Sequence, residues 1–531
     1  MPEDRPRYIV EQRRPFAASL IWTLQDAYFR ERGVEAWRRG EVPHYVTSNP
    51  TIANAYAEIV FACRLDDDRV APDAAGNEPL TICELGGGSG RFAFHFLKRL
   101  LQLCQKSAVA PQSFRYVLTD AAEDNLEFWR RHPSFHGFFA AGVLDVARFD
   151  VNDGMRLEPR MGGASIEAGS LRRPLVVVAN YLFDSVPQDL FRFRDGKAFR
   201  CLVSLSSEVD PQSAEAPALL AALQLHYDYE PLSEPPYEEP ELHELFAFYR
   251  DNLRDSHVLV PAAGLRCLRR LAALSQRGLV VLSADKGTHR LDALEGRPPP
   301  DLVRHGSFSL PVNYHALAHA CAAGGGPALL PSGAHHSIDV VALFMLAQPG
   351  AYERTRQAYE RHIDEFGPDS FFTITRHARE TIPHLSADSA LAYLRLSRYD
   401  SHQFGRYLPR LQELAAGFDA DTRAEVTDAV EKVWELYFPL GEDLDLANSI
   451  ACLFYAMDDY PRALDYFARS IEIYGRDTGT LYNMAACHHL LGDGEQAAAL
   501  LRQVLEHDAG NEPAAALLAE ITEAPAAGSA G

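Results

Sequence analysis

The sequence predicts an α/β domain built on a mostly parallel sheet, followed by an all-α domain. From about Thr81 to Leu346, near-continuous apolar runs of strand length alternate with helical stretches, a pattern typical of a parallel sheet covered on both faces. After Pro349 these runs cease, and 351–525 reads as one helix after another. With 531 residues, the chain is also longer than a single hydrophobic core usually serves.

Six apolar runs are the candidate strands of the α/β domain, and they lie at 80–85, 114–120, 144–151, 174–180, 278–284 and 338–345. Two insertions interrupt the alternation: 155–173 contains Gly and Arg, and 207–245 is rich in Glu, Pro and Tyr. Residues 15–70 look mainly helical. We therefore predict a helical N-terminal segment, 1–75, that contributes to an α/β domain spanning 76–350.

Composition and charge limit the classes of partner. The formal net charge of −22 argues against a general nucleic-acid binder, because phosphate neutralisation needs clustered Lys and Arg. The eight cysteines are scattered without a C-x-x-C pair, as in a protein with reduced, buried thiols and no zinc site. No secretory signal and no membrane-spanning run is evident. We expect a soluble, cytoplasmic protein.

Two segments near the C-terminus, 448–477 and 482–511, superpose at an offset of 34 residues. The matched positions are Ala451 with Ala485, Asp459 with Asp493, Ala463 with Ala497, Phe467 with Leu501 and Ile471 with Leu505. This period resembles the tetratricopeptide repeat, whose stacked helix pairs commonly bind a peptide or another protein. We assign 441–523 to such repeats, 351–440 to a helical linker or degenerate repeats, and 524–531 to a disordered tail.

A glycine-rich turn, "ELGGGSG", follows the first candidate strand and precedes a helix-like run. Gly86, Gly88 and Gly90 would present bare N–H groups at a positive helix end, where a ligand carboxylate or phosphate could bind. A P-loop would need Gly-Lys-Ser/Thr where Arg91 and Phe92 stand, and the dinucleotide spacing G-x-G-x-x-G is not cleanly met.

The turn does fit the S-adenosylmethionine loop, E/D-x-G-x-G-x-G. In that interpretation Glu84 accepts from the ammonium of the donor, and the glycines at 86, 87, 88 and 90 let the backbone approach its methionine part. A purely structural glycine turn without a ligand remains an alternative.

Further acidic residues follow the second and third candidate strands. Asp120 ends the second, where a carboxylate can accept both ribose hydroxyls of a nucleoside. It could also cap the next helix, and we favour the ribose contact. After the third, Asp150, Asn152 and Asp153 lie near the expected adenine, and a turn motif explains them nearly as well. We include Asp150 and Asn152 among the candidate cofactor-binding residues.

The fourth candidate strand ends in Asn180, at the sheet edge that faces the ligand crevice in open α/β folds. Asn180 would lie beside the transferred methyl group and is also a candidate cofactor ligand. From this point four segments resemble the MidA-type family, the S-adenosylmethionine-dependent protein arginine methyltransferases known from mitochondrial complex I assembly. These segments are 44–60, 84–97, 180–193 and 305–325.

The resemblance implies a Rossmann-like, mostly parallel sheet with an antiparallel final strand, and catalytic roles for Asn180, Tyr181 and Asp184. The family has Glu where this chain has Tyr181, and its late His-Val-Asp is replaced within 310–313. Since carboxylates orient a planar guanidinium, the first departure bears on arginine specificity. Asp184 or Asp189 would substitute for the missing Glu, while Asp184 could instead cap a following helix.

Other polar residues have two interpretations each. Tyr314 and His315 would either border the acceptor pocket or pack their own helix. The pair His335-His336 would be a metal site or a surface segment that leads into a strand, and we favour the surface segment. We predict no metal site.

The sequence thus predicts a methyltransferase that uses S-adenosylmethionine and acts on a protein side chain, arginine being what the resemblance implies. The helical repeats, and the glutamates of the acidic segment 228–244, would recruit the acceptor or a partner. Two alternatives are a small-molecule methyltransferase and a non-catalytic scaffold of the same fold. We expect neither a nucleic-acid nor a membrane partner.

Overall fold

The computed structural model describes residues 8–72, 78–151, 156–333, 337–442 and 444–523. The chain divides into two compact units, Met1–Thr373 and Ile374–Gly531. Within the described ranges, no helix is long and apolar enough to cross a membrane.

The strands all lie in the first unit. In chain order they are β1 (Tyr8–Pro15), β2 (Leu80–Glu84), β3 (Phe114–Asp120), β4 (Leu144–Arg148), β5 (Leu175–Asn180), β6 (Asp189–Arg194), β7 (Lys197–Ser207), β8 (Leu223–Leu232), β9 (Asp255–Val260), β10 (Gly278–Asp285), β11 (Gly287–Thr288), β12 (Val303–His305), β13 (Ser307–Ser309), β14 (Val312–Asn313), β15 (Ala328–Leu329) and β16 (Asp339–Leu346).

The helices of the first unit, the last of which runs past its end, are α1 (Leu20–Arg32), α2 (Glu35–Arg38), α3 (Tyr45–Ser48), α4 (Pro50–Val70), α5 (Arg91–Lys106), α6 (Glu123–Arg131), α7 (Pro133–Ala140), α8 (Ala216–Ala222), α9 (Pro240–Asn252), α10 (Ala262–Ala272), α11 (Tyr314–Ala323), α12 (Glu353–Tyr359) and α13 (Pro368–Ala378). Those of the second unit are α14 (Ala387–Leu396), α15 (Ser401–Leu414), α16 (Ala420–Glu435), α17 (Leu446–Ala456), α18 (Tyr460–Tyr474), α19 (Thr478–Leu490), α20 (Gly494–His507) and α21 (Glu512–Glu523).

A seven-stranded sheet in the order β15-β16-β10-β5-β2-β3-β4 forms the centre of the first unit. The five strands from β10 to β4 run parallel, and β16 is antiparallel to both β10 and β15. All of β2, and β5 up to its last residue, is buried, which explains their uninterrupted apolar sequences. The prediction of a mixed α/β fold with a largely parallel sheet is therefore confirmed.

Each of the six candidate strands overlaps one of these sheet strands to within one residue at each end, except for one difference in length. The run at 144–151 stays in the sheet only to Arg148. The backbone N–H of Phe149 makes the last hydrogen bond of the ladder, to the carbonyl oxygen of Asp120 at 3.0 Å, and the strand ends there. Asp150 is thereby placed beyond the end of the strand, near the edge of the sheet.

The order of the strands reverses between β2 and β5. From β2 the chain proceeds outward through β3 to β4, and it then returns to place β5 and β10 on the other side of β2. Ligands of open α/β sheets bind at such a point, outside the carboxyl ends of the strands. Here those ends carry Glu84, Asp120, Asn180 and Asp285.

A second, antiparallel sheet contains β1, β6, β7, β8 and β9. The sequence did not reveal it: 1–75 was predicted to be helical, yet β1 is a strand, and the insertion 207–245 holds α8, β8 and α9. In β8 most residues are partly or fully exposed, so apolar periodicity is weak. The ladder of β1 with β7 joins residues about 190 positions apart, which no local pattern encodes.

The helix pairs of the second unit explain the 34-residue offset. Ala451 of α17 and Ala485 of α19 are both fully buried, as are Ala463 of α18 and Ala497 of α20. In each pair the second helix starts after an aspartate whose carboxylate accepts from the backbone N–H three residues later. Small side chains therefore recur where the helices approach closely.

We expect Ala485→Leu to destabilise the second unit by about 1–3 kcal/mol, because an extra side chain must fit into a filled helix interface. Ala485 has no exposed surface. Urea unfolding of the full chain, followed by helical circular dichroism, measures this effect. The matched control is Ala515→Leu, at an exposed position of α21, and equal unfolding midpoints for the two variants would contradict the proposed packing.

Candidate functional site

A cavity of about 520 Å³ lies at the carboxyl edge of the central sheet, a volume within the usual range for small-ligand sites. The glycine turn, the ends of β3 and β5 and the segment after β5 form one side. The N-terminal residues between Ala17 and Ser48 form much of the other. The cavity therefore brings together most of the residues that the sequence singled out.

The glycine turn uses its N–H groups differently from the expectation. The N–H of Gly87 donates to the carbonyl oxygen of Thr119 at 2.8 Å, that of Gly88 to Oδ2 of Asp120 at 3.1 Å, and that of Gly90 to the carbonyl oxygen of Gly87. The prediction that Gly86, Gly88 and Gly90 present bare N–H groups is therefore wrong for Gly88 and Gly90. The turn holds its own shape and fixes the carboxylate of Asp120.

Conformation and crowding explain why glycine is required in this turn. Gly86, Gly88 and Gly90 have φ of +66°, +53° and +78°, which other residues rarely adopt. A Cβ at Gly88 would lie 2.8 Å from Cζ2 of Trp37, whose indole lies against the backbone there. Gly90 does not line the cavity, and its close neighbours are Trp129 and Phe135.

Glu84 lines the cavity and is 5% exposed. Burial raises the pKa of its carboxyl to about 8, and the negative charge of Asp120 acts in the same direction. The hydroxyl of Tyr116 donates to Oε2 at 2.7 Å, which partly opposes the rise. A positively charged group in the cavity would favour the ionised form of Glu84.

Asp120 ends β3 with its carboxylate in two hydrogen bonds. Oδ1 accepts from the N–H of Ala122 at 2.9 Å, and Oδ2 accepts from Gly88. Helix α6 starts at Glu123 after Ala122, so Asp120 is not the residue that caps it. Burial raises the pKa of Asp120, and these hydrogen bonds oppose the rise. Each carboxylate oxygen has a second lone pair and can accept a further hydrogen bond.

Asp150 also lines the cavity, and Oδ2 accepts a hydrogen bond from Arg30 of α1 at 3.0 Å. This ion pair joins the N-terminal segment to the sheet edge. Asn152 and Asp153, predicted beside Asp150, lie outside the described residues.

The end of β5 contributes Asn180 and Tyr181. Oδ1 of Asn180 accepts from the hydroxyl of Tyr56 at 2.9 Å. Its Nδ2 is buried and makes no hydrogen bond within the part of the chain that the structure describes. Tyr181 has φ of +49°, a strained conformation for a bulky residue, and its N–H donates to the carbonyl oxygen of Ala284. Both side chains line the cavity.

Asp184 lies in the cavity wall next to a carboxylate that the sequence had not singled out. Its N–H is 3.4 Å from Oδ2 of Asp285, the last residue of β10, and both aspartates are buried. No helix follows Asp184, so the alternative that it caps one is wrong. Burial raises the pKa of Asp184 to about 7, and that of Asp285 is raised well above its usual value by burial and by the charge of Asp184.

Other predicted residues lie away from the cavity. Asp189 accepts from the hydroxyl of Tyr237 at 2.7 Å. Tyr314 is fully buried with its hydroxyl 2.9 Å from that of Ser283, and His315 pairs with Tyr249, so these two residues pack the core as in the second interpretation. The pair at 335–336 lies outside the described residues.

In the acidic segment 228–244, several glutamates are already paired with arginines of the same chain. Glu230 lies 3.5 Å from Arg200, Glu239 bonds Arg266 and Glu241 contacts Arg269. These three charges are partly neutralised internally, which reduces their attraction for a basic partner.

Sequence reasoning missed two parts of the site. Trp22, Phe29 and Trp37 give the N-terminal wall an aromatic surface, and Phe29 stacks on Trp37 at 6.0 Å. Asp285 is the last residue of β10, and Lys286, which follows it, lines the cavity. The position of Asp285 at a strand end is the same signal that identified Asp120 and could have found it.

The C-terminal region of the chain matches a known protein family. Residues 454–521 match the tetratricopeptide repeat family model. The repeats predicted at 441–523 thus have a family match over most of their length. No curated protein matches the chain.

Two solved structures from Burkholderia thailandensis are weakly similar to the chain. One is a COG1565 superfamily member bound to S-adenosyl-homocysteine, with 17% identity and a TM-score of 0.38 over 67% of this chain and 86% of that one. The other is an uncharacterized COG1565 superfamily protein, with 16% identity and a TM-score of 0.32 over 59% of this chain and 80% of that one.

Proposed function

We propose that the protein is a methyltransferase that uses S-adenosylmethionine. The observation that carries this proposal is the acidic cavity at the point where the strand order reverses. The cavity is lined by four carboxylates, those of Glu84, Asp120, Asp150 and Asp184. Three N–H groups of the glycine turn donate to other groups of the protein. Such a site disfavours phosphates and favours a cationic nucleoside. We further propose that the central sheet is Rossmann-like, with its final long strand antiparallel.

The residues present fit this donor. When bound, S-adenosylmethionine supplies a methyl group on a positively charged sulfur. Glu84 would accept from its ammonium, and Asp120 from its ribose hydroxyls. The buried Nδ2 of Asn180 needs a hydrogen-bond acceptor, which a ligand or an ordered water can provide. The N-terminal residues line one side of the cavity. In an in-line displacement a protein contributes mainly the alignment of the reactants and the removal of water.

We infer a protein side chain as acceptor, with the helical repeats recruiting it or a partner. Tetratricopeptide-like helix pairs commonly bind peptides, which supports this part of the proposal. Arginine is the residue implied by the family resemblance, and Tyr181 stands where that family has Glu. The carboxyl of Asp184 is in the cavity wall, and we propose that it supplies the negative charge that the family's Glu would carry.

Calorimetric titration with S-adenosylmethionine, S-adenosylhomocysteine, NAD and ATP tests the choice of cofactor. We expect 1:1 binding of the first two ligands alone. Equal or tighter binding of NAD or ATP would overturn the proposal. Transfer of a labelled methyl group to protein or to small molecules then separates the two kinds of enzyme, and retention of the donor without turnover indicates a scaffold.

We expect Asp120→Ala to remove the preference for a ribose. Wild-type protein should bind adenosine at least about tenfold more tightly than 2′,3′-dideoxyadenosine, since hydrogen bonds to a charged group contribute about 1.5–3 kcal/mol each. The variant should bind both nucleosides equally. Because Asp120 also holds Gly88, the matched control is Asp120→Asn, which keeps one acceptor oxygen and should show an intermediate preference. An unchanged preference in Asp120→Ala would contradict this role.

A further inference from the structure

Three hydrogen-bond donors that line the cavity have no acceptor among the described residues. They are the ammonium of Lys286, the imidazole of His305 and the hydroxyl of Ser309. Within the ranges that the structure describes, none of the three side chains is hydrogen-bonded or ion-paired to another residue. Polar groups that line a binding cavity fix the orientation of its ligand. These donors therefore indicate a ligand group that accepts hydrogen bonds.

The hairpin of β12 and β13 places two of the donors on one face. In this antiparallel ladder His305 pairs with Ser307, which lies two residues before Ser309. Cross-strand partners share a face, as do residues two apart in a strand, so the side chains of His305 and Ser309 leave the hairpin on the same side. The hairpin is fixed to α1, because Nε2 of Gln25 donates to the carbonyl oxygen of Phe308 at 2.7 Å.

The backbone of Lys286 is fixed close to this hairpin. Its N–H donates to Oδ1 of Asp285 at 2.8 Å, and its carbonyl oxygen accepts from the N–H of Val312 at 2.9 Å, three residues after the hairpin ends. Burial lowers the pKa of His305, and the positive charge of Lys286 acts in the same direction, so the two groups lie near each other. The ring is neutral at physiological pH and can donate one N–H.

A carboxylate is the ligand group that fits these donors. Its two oxygens only accept, and they offer about four lone-pair positions, enough for an ammonium, an imidazole N–H and a hydroxyl together. A phosphate dianion fits less well. Burial raises the pKa of Asp184 and the charge of Lys286 opposes the rise, so Asp184 lies close enough to interact with Lys286. When ionised, Asp184 would repel a doubly charged anion more strongly than a singly charged one.

We propose that Lys286, His305 and Ser309 bind a carboxylate of the methyl acceptor, which therefore carries a negative charge near its methylated group. This inference rests on the proposed methyltransferase function and adds a determinant of acceptor specificity to it. Lys286 supplies the opposite charge, and the two neutral donors orient the carboxylate. In a protein acceptor, this carboxylate belongs either to an acidic side chain or to the C-terminus of the chain.

Small carboxylates test the inference without knowledge of the natural acceptor. Protein saturated with S-adenosylhomocysteine is titrated by calorimetry, at neutral pH and low ionic strength, with two carboxylates and a neutral compound. N-acetylglycine resembles a chain end, N-acetylaspartic acid α-amide resembles an acidic side chain, and N-acetylglycinamide is neutral. We expect one carboxylate to bind at least about tenfold more tightly than the neutral amide, because charge strengthens its hydrogen bonds. The tighter of the two identifies the source of the carboxylate.

Substitution of each donor tests its part in the subsite. Lys286→Gln should reduce carboxylate affinity to that of the neutral amide. His305→Phe, which keeps an aromatic ring, and Ser309→Ala should each weaken carboxylate binding about tenfold and leave the neutral amide unaffected. The matched control is Lys197→Gln, at an exposed lysine of β7 outside the cavity, which should bind as wild type does.

Equal carboxylate affinity in Lys286→Gln and wild type would overturn the inference, as would tighter binding of the neutral amide or of inorganic phosphate. If S-adenosylhomocysteine binds and no carboxylate does, this inference fails while the cofactor assignment stands, and Lys286 only balances the charge of Asp184. If S-adenosylhomocysteine itself does not bind, the proposed function fails. Carboxylate binding by the protein alone that Lys286→Gln removes would then still support the subsite, and its absence would refute it.

Discussion

Gly88→Arg should weaken the binding of S-adenosylhomocysteine by at least about 100-fold, or about 2.8 kcal/mol. Gly88 has φ of +53°, and its carbonyl oxygen and N–H are held by Trp129 and Asp120. A Cβ at this position would lie 2.8 Å from Trp37, so the indole must move and the arginine side chain would enter the cavity. The variant therefore disturbs the turn, the aromatic wall and the carboxylate of Asp120 together. Calorimetry of the purified variant measures the loss.

The control for this substitution must carry the same backbone strain elsewhere. Gly142 has φ of +69° and no atom within 4 Å of an added Cβ, and it does not line the cavity. Gly142→Arg should lower stability by about 1–3 kcal/mol from strain and leave binding unchanged. If a folded Gly88→Arg variant binds the ligand as wild type does, the glycine turn is not part of the ligand site.

The affinity for S-adenosylhomocysteine should rise about 30-fold from pH 5.5 to pH 7.0, because Glu84 must lose a proton to accept from the ligand ammonium. The pKa of Glu84 in the free protein is about 8, so over this range most molecules are protonated there, and each pH unit changes the ionised fraction about tenfold. Below pH 7 the α-amino group of the ligand stays protonated, because the neighbouring carboxylate of the amino-acid part keeps the pKa of the ammonium above that of a peptide N-terminus. Calorimetry in two buffers of different ionisation enthalpy should detect close to one proton released at pH 6.5.

The variant Glu84→Gln tests whether Glu84 is the group that loses the proton when the ligand binds. The variant can still accept the hydrogen bond from Tyr116, so its fold should be preserved. It should bind more weakly than wild type at pH 7 and show little dependence on pH. Asp184→Asn, which changes a different carboxylate of the cavity wall, should keep the wild-type slope. Equal slopes in wild type and Glu84→Gln would show that another group releases the proton.

Much of the central sheet could be predicted because its signals are local. The strands at 114–120 and 174–180 are buried on both faces and read as continuous apolar runs. The chain direction also predicted which residues share an edge, and Glu84, Asp120 and Asn180 do line one cavity. The hydrogen bonds of the turn could not be predicted from the sequence. The N–H groups of Gly87 and Gly88 donate to a carbonyl and a carboxylate oxygen more than thirty residues away.

The sequence by itself determined six strands of the central sheet, the place of the glycine turn and the repeat of small residues in the C-terminal helices. At these positions burial and backbone conformation restrict which residue types can occur. Only the tertiary structure decided that Trp37 covers Gly88, that β1 pairs with β7, and that Asp285 lies against Asp184. Each of these contacts joins segments separated by 50 to about 190 residues. Strand order and packing decide which segments meet in these contacts. Both are properties of the whole fold, so neither segment carries a sequence pattern that predicts its partner.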